Sequence, residues 1–66
     1  MVDYSNSKIA EAIDEFVHNK RDREVLKLRL IDGLTYEKIA EQMDLSPRAV
    51  KYIIYRGQDK VFRHLG

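Results

Sequence analysis

The sequence predicts an all-α fold, a small four-helix bundle whose last two helices form a helix-turn-helix. Three observations carry that prediction. Apolar residues recur at spacings of three and four along almost the whole chain, the period of a helix and not of a strand. Residues that start and stop helices punctuate this period, with Asn19, Thr35 and Ser46 opening segments and Gly33 closing one. The segments so delimited, about 7–18, 20–32, 35–43 and 47–64, leave connections of only a few residues. No room remains for a sheet, a linker or a second domain, and no repeat or low-complexity run is present. At 66 residues, the chain lies near the lower limit for folding on one core without a disulfide or a metal.

In the first segment Ile9, Ala12, Ile13, Phe16 and Val17 form one stripe and Lys8, Glu11, Asp14, Glu15 and His18 the other. The stripe is expected in the core. Ser5 and Ser7 both suit the N-cap, and the sequence does not choose between them. Asn19 caps the second segment, in which Val25, Leu26, Leu28, Leu30 and Ile31 spread almost around the wheel. A helix apolar on most sides is contacted by several neighbours, so this one is expected at the centre. Gly33 supplies the left-handed residue that ends it.

Thr35 caps the third segment, where Tyr36, Ile39, Ala40 and Met43 share a face. Asp44 and Leu45 turn the chain. Ser46 then caps the fourth segment, with Pro47 at the first helical position, where its missing N–H costs nothing. Val50, Ile53, Ile54, Gly57 and Val61 fall within about 100° of arc on the helical wheel. Gly57 costs roughly 1 kcal/mol against Ala in a helix interior, a cost expected only where another helix crosses closely. Arg48, Lys51, Tyr52 and Tyr55 occupy the opposite side. A helix with this division between its faces suits a DNA groove.

Net charge is only +1, but it is unevenly spread. Residues 1–44 hold seven Lys/Arg against ten Asp/Glu, a net of −3, while residues 45–66 hold five Lys/Arg and only Asp59, a net of +4. Affinity for phosphate depends on the local field of the docking face, so the asymmetry outweighs the total. There is no Cys, hence no disulfide framework, thiolate zinc site or Cys nucleophile. No apolar run approaches a membrane span, and MVDYSNSK lacks the apolar core of a leader. A cytoplasmic location, in a bacterial or phage-infected cell, is expected. His18 and His64 are far apart and read as ordinary surface residues. No Gly-rich loop cradles phosphate, and no cofactor, metal or enzymatic activity is expected.

From Arg21 onward the chain resembles region 4 of the sigma-70 family of transcription initiation factors. The resemblance rests on Arg21-Asp22-Arg23-Glu24-Val25-Leu26, on Leu34-Thr35-Tyr36-Glu37-Lys38-Ile39-Ala40-Glu41, and on Ser46-x-x-x-Val50-Lys51 with a basic tail. It implies a fold of the winged-helix-like DNA-binding class without a wing. The resemblance further implies double-stranded DNA as partner, backbone contacts at Arg29 and Thr35, and docking on RNA polymerase. Three departures from the family pattern stand out. Asp44 replaces the turn glycine, Asn19 replaces the proline before the Arg-x-Arg segment, and Pro47, Arg48 and Tyr52 replace the usual base-reading side chains. The docking mode carries over and the target sequence does not.

Base contacts are accordingly expected from Ser46, Pro47, Arg48, Lys51, Tyr52 and Tyr55, with Arg48 and Lys51 foremost because both can donate to guanine. Backbone contacts are expected from Arg29, Thr35, Tyr36, Lys38, Arg56, Lys60 and Arg63. Arg21 to Glu24 read as local helix pairing worth tenths of a kcal/mol. The expected function is sequence-specific DNA binding in transcription regulation by a stand-alone domain. One helix-turn-helix reads few base pairs, so a homodimer, a polymerase tether or another partner is required for useful specificity. Two other readings compete: a protein-interaction module docking on RNA polymerase or a regulator, and a phage assembly or packaging subunit that holds DNA.

Overall fold

A computed structural model describes residues 5–65. Its helices are α1 (Asn6–Phe16), α2 (Lys20–Leu30), α3 (Tyr36–Met43) and α4 (Pro47–Leu65), and no strand occurs among the described residues. The first four residues, on which part of the reading against a leader falls, lie outside that range. No described helix is long and apolar enough to cross a membrane.

Capping sets the boundaries. Ser5 is the N-cap of α1, its hydroxyl accepting from the Lys8 N–H at 3.4 Å. The helix stops at Phe16, two residues earlier than the periodicity suggests, because Val17 adopts an extended conformation while remaining buried. Asn19 caps α2 through the Asp22 N–H, and Thr35 caps α3 through the Lys38 N–H. α2 ends at Leu30, two residues short of Asp32, and Gly33 follows at φ +72°. Asp44 takes the left-handed conformation at φ 57°. The Leu45 N–H reaches back across it to the Ala40 carbonyl at 2.9 Å, the closure by which a left-handed residue ends a helix.

Two apolar clusters hold the helices together. One joins α2, α3 and the first half of α4 through Val25, Leu28, Ile39, Ala40, Val50, Ile53 and Ile54, with Leu34, Tyr36, Met43 and Leu45 around it. The other joins α1 to Leu26 and Val61 through Ile9, Ala12, Ile13 and Val17, with Phe16, Leu30, Ile31 and Leu65 around it. α2 and α4 each contact the three other helices, while α1 and α3 do not touch. The central place expected for α2 is therefore shared with α4. Gly57 marks their crossing: a Cβ there would lie 2.9 Å from Leu26 Cδ2 and closer still to Cδ1. Phe16, expected in the core, is half-buried, and its ring stacks on His64 with centroids 3.8 Å apart.

Candidate nucleic-acid interface

The buried face of α4 fixes the direction of its opposite face. With Val50, Ile53, Ile54 and Val61 turned into the core, Arg48, Lys51, Tyr52, Tyr55 and Arg56 stand in solvent on the first three turns. Tyr52 is 62% and Tyr55 53% exposed, the large apolar side chains most displayed among the described residues. From Pro47 to Gln58 the helix carries no acidic residue. The result is an aromatic and cationic ridge with no carboxylate on its own helix before Asp59.

The N-terminus of α4 is closed by Ser46, whose hydroxyl oxygen accepts from the Ala49 N–H at 3.1 Å and whose carbonyl accepts from the Val50 N–H. Pro47 has no N–H to give. Of this first turn, the Arg48 amide is left free to meet an anion, beside the positive end of the helix dipole. The Ser46 hydroxyl keeps its proton for the same purpose. Thr35 is engaged in the same way at the start of α3, leaving the amides of Tyr36 and Glu37 open. Lys38 is exposed in the first turn of α3, and Tyr36 is half-buried against the first cluster.

Several basic residues have partners. The Arg29 guanidinium donates to the Leu34 carbonyl at 2.9 Å and lies 4.8 Å above the Tyr36 ring. It therefore fixes the turn that presents Thr35, and only its remaining N–H groups face outward. The Lys51 ammonium lies 5.6 Å above the Tyr55 ring, and the Arg56 guanidinium 5.5 Å above that of Tyr52. Arg56 also donates to the Tyr52 hydroxyl at 3.2 Å. Arg48, exposed, has no partner of any kind among the described residues.

Lys60 and Arg56 face Arg21 across a shallow groove between α4 and the start of α2, with Tyr52 on its rim. Arg21 thus joins the basic surface, although its own carboxylate neighbour, Asp22, takes two of its N–H groups at 3.1 Å. Sequence spacing offers no hint of this juxtaposition, because it depends on the crossing at Gly57. Arg63 stands apart. It pairs with Asp59 and lies about 22 Å along α4 from Arg48 at ~1.5 Å per residue. Of the residues expected at the site, Arg48, Lys51, Tyr52, Tyr55 and Arg56 share the exposed face of α4, Arg56 and Lys60 line one groove, and Arg63 lies near the far end of the helix. No group of His, Cys, Asp or Glu able to hold a metal ion occurs among the described residues.

The family model described as sigma-70, region 4 matches residues 19–60, a span that takes in α2, α3 and most of α4. No curated protein and no solved structure matches the chain.

Proposed function

The chain belongs to the sigma-70 region 4 family, and from that membership we propose that it binds double-stranded DNA sequence-specifically in transcription regulation, with α4 in the major groove. The observation that carries this reading is the ridge on α4. Arg48, Lys51, Tyr52, Tyr55 and Arg56 share one exposed face, and no acidic side chain interrupts it. A helix fits the major groove, where base edges can be told apart, and cations at its flanks meet phosphate. The free amides at the starts of α3 and α4 add anchors that fix orientation without reading sequence. Region 4 domains bind both DNA and RNA polymerase. RNA polymerase is thus the partner that supplies the specificity a single module lacks, and the place of action is the cytoplasm of a bacterial or phage-infected cell.

A salt titration of binding to duplex DNA tests this reading. With Arg21, Lys38, Lys51, Arg56 and Lys60 on phosphates, log affinity is expected to fall against log salt with a slope of about −4 to −5. Absence of binding at low salt, or a slope near zero, contradicts it.

A further inference from the structure

We infer that Arg29 and Tyr36 are positioning residues for DNA and not contacts: together they lock the turn that aims Thr35 and the open start of α3 at a phosphate. This rests on the DNA-binding reading above and goes further. The family resemblance implies a backbone contact at Arg29, and the sequence reading expects another at Tyr36; the side-chain geometry turns both inward.

The chain leaves α2 through Gly33 at φ +72° and enters α3 at the Thr35 cap. Within this turn the Leu34 N–H donates to the Leu28 carbonyl at 3.0 Å. The Leu34 carbonyl accepts from no backbone N–H among the described residues. Arg29 supplies the missing donor at 2.9 Å, in a part-buried contact. The same guanidinium lies 4.8 Å above the ring of Tyr36, which is half-buried against the first cluster. One cation thus ties the residue before the Thr35 cap to the residue after it. A side chain engaged at both places is held back from a passing phosphate, whereas Lys38, exposed on the same turn of α3, is free to meet one. The Thr35 hydroxyl oxygen accepts from the Lys38 N–H at 3.2 Å, which leaves its proton, with the amides of Tyr36 and Glu37, for the anchor. An anchor of this kind binds only in the fraction of molecules whose turn is correctly set, and the strut raises that fraction.

Salt titrations of duplex binding separate a strut from a contact. Arg29→Ala should weaken binding to every duplex by about 2- to 10-fold, the worth of one part-buried hydrogen bond, and leave the salt slope unchanged. A chain of 66 residues can be made by chemical synthesis, so Arg29 can also be replaced by citrulline, which is neutral, similar in shape and still a donor. Citrulline should restore most of the loss, because the Leu34 carbonyl regains its partner. Tyr36→Phe keeps the ring and should bind as the unaltered protein does, whereas Tyr36→Leu should bind more weakly. In the Arg29→Ala protein, DNA-induced amide shifts should shrink at Thr35–Glu37 and persist at Ser46–Arg56, with helix content by circular dichroism unchanged. The inference is overturned if Arg29→Ala lowers the salt slope by about 1 and citrulline does no better, the signature of a phosphate contact. It is equally overturned if Arg29→Ala binds at full affinity, or if Tyr36→Phe is as weak as Tyr36→Leu. Should Arg29→Ala lose helix, the citrulline protein decides alone: an unchanged slope supports the strut, and a slope lowered by about 1 refutes it. No binding of the unaltered protein to any duplex defeats instead the DNA-binding reading beneath.

Discussion

Arg23 ties the end of one helix to the start of the next. Its guanidinium donates to the Val17 carbonyl at 3.0 Å and to the His18 carbonyl at 2.8 Å, the two carbonyls that follow the end of α1. A part-buried carbonyl deprived of its partner costs on the order of 1–2 kcal/mol. Arg23→Ala should therefore lower stability by about that amount in urea unfolding. Arg21→Ala, which loses only a surface pair with the adjacent Asp22, should change it by less than about 0.5 kcal/mol. Equal effects from the two substitutions would refute the role given to Arg23. The pattern Arg21-Asp22-Arg23-Glu24 reads in sequence as local pairing, and that is what Arg21 does. Arg23 differs because the extended path of residues 17–19 brings two carbonyls within its reach. Tertiary placement of this kind leaves no periodic trace. The same holds for Phe16 and His64, whose rings meet from opposite ends of the chain. By contrast Asn19, Thr35 and Ser46 cap helices as their side-chain chemistry predicts, because a cap needs only neighbours three residues away.

At the scale of the element, α4 serves two purposes at once. Its first half completes the helix-turn-helix core and carries the ridge; its second half holds α1 through Val61 and its neighbours. Gly57 joins the halves. The missing Cβ lets α4 lie against the fully buried Leu26, whose Cγ would otherwise be 3.0 Å away. Gly57→Ala gains about 1 kcal/mol in helix propensity but overpacks a closed contact, at a typical cost of about 1–3 kcal/mol. A net loss is expected, seen as a lowered thermal midpoint. In the Leu26→Ala background the same change should be less harmful, the two sites coupling in a double-mutant cycle; a stabilising Gly57→Ala in the unaltered background would contradict this packing. That close crossing is legible in the sequence, since a glycine amid an apolar helical stripe demands a reason. The stop of α1 at Phe16 is less so. The stripe continues through Val17, which is buried all the same, so periodicity alone cannot tell a last helical turn from an extended residue folded into the core.

The whole molecule is arranged about a charge division that its composition conceals. Glu11 and Glu15 on α1 and Glu37 and Glu41 on α3 are exposed, whereas the ridge of α4 is free of carboxylates. Residues 19–60 match the family, and α1 lies before them, out of contact with α3. It covers the apolar face formed by Leu26 and Val61, so it supports α4 from behind without approaching the ridge. The fold class and the apolar faces follow from period and caps, and the family from three short motifs. Arg21 at the groove does not, because its place beside Arg56 and Lys60 depends on the crossing of α2 and α4, which only the assembled helices supply. The most direct test of α4 as the DNA-docking helix is amide chemical-shift mapping of the protein titrated with a bound duplex. Shifts are expected at Thr35–Lys38 and Ser46–Arg56, with Lys8, Glu11 and Glu15 on the outer face of α1 unmoved. Perturbations concentrated on α1, with the first three turns of α4 silent, would contradict it.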